Sequence, residues 1–263
     1  MSIFEAIILG IVQGLTEFLP VSSSGHIELG TVLLNIQTKD NLLFSVVVHC
    51  ATALSTMVVF RKDIASLISG IFRWDKDALA FVGKILLSMV PVGFVGLFFR
   101  EEVKSFFGGN VLLVGFMLWV TALLLAMTYY AKKQGGAVTY GKAFLIGVAQ
   151  ALAIMPGLSR SGATIASGLL IGVEKEKAAR FSFLMVLIPI LGASFLEIMN
   201  FIKAPEAHES MSSVILVIGF LAAFVSGLLA CQWMIGIVKR GKLIYFAIYC
   251  FIVGTIAIIT DLL

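Results

Sequence analysis

Apolar runs of about 17 to 23 residues recur along this chain, and their length decides most of what it can fold into. A helix rising ~1.5 Å per residue crosses ~30 Å of hydrocarbon in about 20 residues, so such runs suit membrane-spanning helices. They lack the alternation, in segments of about ten residues, that marks an outer-membrane barrel. With 60% hydrophobic and only 13% charged residues, the chain has too little polar surface to coat a soluble globule. The expected fold class is an all-α polytopic membrane protein. The opening stretch MSIFEAIILG lacks the basic leader and small-residue cleavage site of a secretory signal and is expected to be retained. Cys50, Cys231 and Cys250 are widely spaced within apolar runs, so they read as small core residues and not as a disulfide or metal framework.

The chain says nearly the same thing twice. Placing Ala6 on Ala143 aligns AIILGIVQGL with AFLIGVAQAL, SSSG at Ser22 with SRSG at Ser159, and Phe44-Ser45 with Phe181-Ser182. An internal duplication is expected within one membrane domain, 1–263, with repeats over 1–134 and 138–263 and a boundary in KKQGGAVTYGK, Lys132 to Lys142. In each half the first two apolar segments are short and meet at a proline and serine cluster: 3–19 with 26–35, then 143–155 with 163–173. They reach only partway across a bilayer, so each pair predicts a re-entrant helix hairpin. The other segments, 43–60, 79–99 and 110–130, then 181–202, 213–235 and 242–262, are long enough to span. A hairpin makes no net crossing and three spans are an odd number. The second half is therefore expected upside down, giving six spans in two inverted-topology repeats.

Basic residues choose the faces. The side holding the loops after 60, 130, 173 and 235 carries Arg61, Lys62, Lys132, Lys133, Lys175, Lys239 and Arg240 among others, whereas the opposite side holds Lys39, Arg100, Lys104 and Lys203. The positive-inside rule makes the first side cytoplasmic and leaves both termini and the mouth of the first hairpin outside.

The hairpin motifs carry the chemistry. In QGLTEFLPVSSSGH, Gln13 and Glu17 lie four apart and share a helix face, and Pro20 discourages helix at Leu19. Ser22, Ser23 and Ser24 are favoured where the next helix begins, where hydroxyls and free amides attract an anion. Gly25 lets backbone approach a ligand, and His26 titrates near neutrality. A carboxylate at membrane depth is expensive and usually functional, although serines there also serve simply as caps. The matching segment MPGLSRSGAT has Ile154 where Glu17 would fall, and an arginine instead. Arg160, with Ser159, Ser161 and Thr164, offers a fixed cation and hydroxyls of the kind that grip phosphate, or else an ion pair with Glu17 that ties the hairpins together.

The pooled set suits an anionic phosphate ester or anhydride. No GxxxxGK[ST] occurs, so a nucleotide is not implied, and nucleic acid is not an expected partner. His49 reads as a packing histidine because no motif flanks it. Lys84 and Glu197 lie near span ends, Glu28 is placed at the outer mouth, and EKEKAAR reads as a solvated cytoplasmic loop. Gly115, Gly219 and Gly227 permit close helix packing within one chain or between copies, so a homo-oligomer is open.

With QGLTEFLPVSSSGH followed by PGLSRSGAT, the chain resembles the bacterial undecaprenyl pyrophosphate phosphatase family associated with bacitracin resistance, over essentially its whole length. The resemblance implies an enzyme of the bacterial cytoplasmic membrane, with its site facing the periplasm or exterior. It would remove the terminal phosphate of undecaprenyl pyrophosphate, regenerating the monophosphate that carries cell-wall sugars. The family's first motif has glutamate or glutamine four residues before glutamate, so Gln13 is the permitted variant and Glu17 matches. The resemblance puts catalysis on Ser23, His26, Glu17 and Arg160, and substrate contacts on Gln13, Ser22, Ser24, Gly25, Ser159, Ser161 and Thr164. It also implies a divalent cation, magnesium or calcium, at Glu17. Two mechanisms stay open: attack by Ser23 with His26 as its base, or attack by His26 itself. The competing class is a transporter or flippase of a polyprenyl phosphate lipid or other anion, since inverted repeats with broken helices are a transporter signature. Such a carrier needs Arg160 but not an adjacent Ser23 and His26.

Overall fold

The structure, a computed structural model, describes residues 1–33, 41–106, 110–131, 135–203 and 212–262. Lys39, Lys132, Lys133 and the end of the expected segment at 34–35 lie outside the described residues, as do the side chains of Arg100, Lys104, Glu197 and Lys203. The elements are helices in the order α1 (Ile3–Phe18), α2 (Ser23–Leu33), α3 (Asn41–Val59), α4 (Arg61–Phe72), α5 (Lys76–Phe98), α6 (Arg100–Ser105), α7 (Val111–Tyr129), α8 (Tyr140–Leu152), α9 (Arg160–Leu170), α10 (Lys175–Lys203), α11 (Ser213–Arg240) and α12 (Ile244–Leu262).

Local chemistry sets the breaks. α1 starts on a capping box, Ser2 with Glu5, and stops at Phe18 because Pro20 holds Leu19 extended at φ −68°, ψ 141°. α8 stops at Leu152, ahead of Pro156 and of Gly157 at φ +90°. With 16, 11, 13 and 11 residues, α1, α2, α8 and α9 all fall short of the ~20 residues needed to cross hydrocarbon.

Among the described residues α5, α7, α11 and α12 are long and apolar enough to cross a membrane. A fifth candidate is α3 taken with α4, a pair bent by 75°. The expected loop after residue 60 is thus corrected. The chain turns at Phe60, which is buried against Phe183 at 5.9 Å, and continues as helix. EKEKAAR is corrected as well. α10 opens at Lys175, Ala178 and Ala179 are buried, and Arg180 reaches Asp63 of α4 at 2.6 Å, so packing draws the run into the helix.

The first helix of each short pair lies along a long helix of the other half: α1 along α11, and α8 along α5. α11 packs on α3 and α5 on α10, while α7 packs on α12 and α3 on α10. Small residues allow the approach: a Cβ on Gly10 would stand 2.6 Å from the Gly219 carbonyl oxygen, and one on Gly115 would stand 2.9 Å from that of Gly254. Gly227 faces Ser55 in the same way, so all three glycines singled out for packing make their contacts within the chain. The main core gathers Phe181, Met185, Ile146, Leu125 and Met234 between these layers. Cys231 and Cys250 are buried in it or beside it, and Cys50 is half-buried.

Candidate active site

The two helix breaks touch. A Cβ on Gly25 would come within 3.0 Å of Gly157 Cα, and one on Gly162 within 3.3 Å of Pro20 Cβ. The Ser161 hydroxyl adds a bond to the Leu19 carbonyl at 3.2 Å.

In the first break Ser22 takes a left-handed backbone, φ +71°, that costs a non-glycine residue ~1–2 kcal/mol. Two donors fix its carbonyl: His26 N at 3.1 Å and His26 Nδ1 at 2.8 Å. A carbonyl only accepts, so Nδ1 carries hydrogen, and Nε2 meets the Tyr249 hydroxyl at 2.8 Å. The imidazole also stacks on the Tyr249 ring. Ser22 Oγ accepts from Gly25 N at 3.3 Å and lies 3.4 Å from Ser24 Oγ.

The second break has the same frame. Ser159 Oγ accepts from Gly162 N at 3.0 Å and lies 3.3 Å from Ser161 Oγ. Thr121 of α7 anchors it, accepting from Ser159 N at 3.0 Å and donating to the Gly157 carbonyl at 3.2 Å. Thr164 turns onto its own helix, donating to the Arg160 carbonyl at 2.8 Å.

Glu17 sits where the breaks meet, its side chain only 6% exposed. Its Oε2 accepts from Ser23 Oγ at 2.6 Å and from Gln13 Nε2 at 3.0 Å, and its Oε1 from Arg160 at 3.3 Å. His49 Nε2 stands 3.8 Å from Oε2. A buried carboxylate needs this many partners, because an uncompensated charge there is strongly destabilising. A serine hydroxyl held on a carboxylate has the geometry that an activated nucleophile and its base require. Arg160 carries five N–H donors and gives one to Glu17, so most of its fork is available to a ligand. Gln13 Oε1 is buried beside Glu17 with no hydrogen-bond partner among the described residues. An orphaned amide oxygen next to a carboxylate fits a hard cation, whose further ligands would come from substrate and water.

A family model for the bacitracin resistance protein BacA matches residues 6–256. The chain belongs to the BacA family. Among curated relatives, undecaprenyl-diphosphatases are 54% identical in Parabacteroides distasonis, with all of both chains covered, and 52% identical in Bacteroides fragilis, with 99% of each covered. One from Methanococcus vannielii is 38% identical over 97% of this chain and 98% of its own.

Two further side chains of this BacA chain reach the site, His49 and Tyr249. His49 bonds the Ser45 carbonyl through Nδ1 at 2.7 Å, as a packing histidine does, and its Nε2 also faces Glu17 at 3.8 Å. Tyr249 reaches His26 across 223 residues of sequence, and no local pattern announces it. Among the expected site residues, Gln13, Glu17, Ser23 and Arg160 converge on one point. His26 lies beside them, joined to Ser22 and Tyr249, and Thr164 faces its own helix.

Proposed function

We propose that this chain is an undecaprenyl-diphosphatase of the bacterial cytoplasmic membrane, releasing inorganic phosphate and undecaprenyl phosphate. The observation that carries the chemistry is the 2.6 Å bond from Ser23 Oγ to Glu17. Glu17 takes the proton as Ser23 Oγ bonds to the terminal phosphorus, the bridging P–O bond breaks, and lipid monophosphate leaves. Water then cleaves the phosphoserine. Arg160 and the amides at the starts of α2 and α9 hold the charge spread over the transferring group, which is where most catalysis of phosphoryl transfer resides. His26, engaged by Tyr249, holds the Ser22 turn in place and does not take the Ser23 proton. Glu17 and Gln13 would hold a magnesium or calcium ion, and such an ion neutralises phosphate charge. A lipid carrier would have no use for a serine held on a carboxylate.

The same reading takes 1–134 and 138–263 as inverted repeats with six spans, the first hairpin opening to the outside. The reciprocal packing of α1 on α11 and α8 on α5 supports it, as do the mirrored serine caps. Thiol labelling by an impermeant reagent in an otherwise cysteine-free protein tests the orientation: a cysteine at 104 should react from outside, and reaction at 133 instead would reverse it. The activity is tested by phosphate release from undecaprenyl pyrophosphate, with and without chelator, beside Glu17→Gln. Release abolished by chelator and by the variant is expected. Chelator-insensitive release would remove the cation, and no release by folded wild-type protein would sink the enzyme reading.

A further inference from the structure

Among the described residues, three helices end in the same closure. At the end of α9, Val173 N bonds the Gly168 carbonyl and Gly172 N bonds that of Leu169. At the end of α11, Lys242 N bonds Ile237 and Gly241 N bonds Val238. At the end of α4, Asp75 N bonds Gly70 at 2.9 Å and Trp74 N bonds Ile71 at 3.1 Å. This closure puts one residue in the left-handed conformation, where glycine is the usual occupant. Gly172 (φ +80°) and Gly241 (φ +68°) follow that rule, but α4 has Trp74 at φ +56°. A bulky side chain there is disfavoured, and Trp74 is 81% exposed, so no packing within the described chain offsets it.

The rest of α4 points the same way. Its inward row, Asp63, Leu67 and Gly70, packs on the protein: Asp63 binds Arg180 at 2.6 Å, and a Cβ on Gly70 would stand 2.5 Å from Ala78 Cβ. The next row, Ala65, Ile68 and Phe72, is exposed and apolar, and Phe72 is 82% exposed. The row beside it is Lys62, Ser66, Ser69 and Arg73. Asp63 is taken by Arg180, and Asp75 caps α5 through the Ala78 amide at 3.1 Å. Lys62 and Arg73 thus have no carboxylate partner among the described residues, whereas Lys177 and Lys239 on neighbouring helices pair with Glu174 and Glu176. The 75° bend from α3 lays α4 across the direction of a span, the orientation of an interfacial helix.

We propose that α4 and its Trp74 turn form a binding surface for acidic phospholipid headgroups. Ile68, Phe72 and the indole enter the boundary of the acyl chains, while Lys62 and Arg73 meet the phosphates. The surface is separate from the Glu17 site and does not depend on its chemistry.

The test uses the full chain in vesicles of equimolar phosphatidylglycerol and phosphatidylcholine, with bromine on the acyl chains of one or the other. Of the three tryptophans, the Trp74 signal is isolated as the difference from Trp74→Phe. Brominated phosphatidylglycerol is expected to quench it more strongly, and Lys62→Gln with Arg73→Gln to lower the preference by about fivefold per cation removed. Equal quenching by both lipids overturns the proposal, as does quenching by neither, the result if a second copy covered the turn. In detergent, Trp74→Gly should raise the melting temperature by relieving the left-handed residue. A fall instead would mean that protein contacts hold the indole, and would also overturn it.

Discussion

At the first helix break Ser22 caps Gly25 and meets Ser24; at the second Ser159 caps Gly162 and meets Ser161, at closely similar distances. The reactive positions within those matching frames differ. Ser23 stands where the second break has Arg160, Glu17 where it has Ile154, and His26 where it has Ala163. The acid and hydroxyl come from the first break while the cation comes from the second. The left-handed position moves too: it is a strained Ser22 in the first break and an unstrained Gly157 in the second. Two similar frames therefore fix where groups stand more tightly than which groups they are, and the candidate site lies where the two breaks meet.

The sharpest way to break this division is at the matching positions Ser23 and Arg160. Ser23→Ala should lower kcat by about 10⁴-fold or more if it is the nucleophile, as loss of a nucleophile does elsewhere. A variant that keeps even a tenth of wild-type turnover would move the attack to another group, and mapping the phosphoenzyme would name it. Arg160→Lys keeps charge but loses the planar fork, so about a 10²- to 10³-fold loss in kcat/KM is expected. Near wild-type turnover there would make Arg160 a mere tether for Glu17.

Smaller effects test the frame. Gly25→Ala should cost about 10²-fold in kcat/KM, the scale of an ångström-sized misplacement, because its new methyl meets the Gly157 backbone, which cannot yield. Gly162→Ala meets side chains only, Ser159 at 3.0 Å and Pro20 at 3.3 Å, and should cost less. Equal losses in steady-state assays would mean that the two contacts are interchangeable. The least effect is expected on stability. Ser159→Ala should lose about 1 kcal/mol of helix capping, while Ser22→Gly should be near neutral because relief of its left-handed backbone offsets the lost cap. Thermal unfolding in detergent would separate the two, and a large loss for Ser22→Gly would show that its hydroxyl does more than cap.

Local physics was the legible part. The end of α1 at Phe18 follows from Pro20, the shared face of Gln13 and Glu17 from their spacing, and the short hairpin helices from the length of their apolar runs. Long-range closure was not legible. His49 and Tyr249 reach the site from α3 and α12, and each sits in an apolar run whose periodicity says only that it is helical. The course of α4 was hidden for a different reason. Its basic residues read as a loop, and only Phe60 wedged against Phe183 and Arg180 drawn to Asp63 turn that stretch into a packed helix.

The bond between Arg160 and Glu17 joins residues 143 positions apart. At ~5–20 residues per second, a ribosome needs on the order of ten seconds to supply the guanidinium after the carboxylate has been made. For that interval the nascent chain holds an acid and a serine with no cation to complete them. On the proposed mechanism the site is thus completed late in translation, and a truncated product that stops before Arg160 would lack the cation that holds the transferring phosphate.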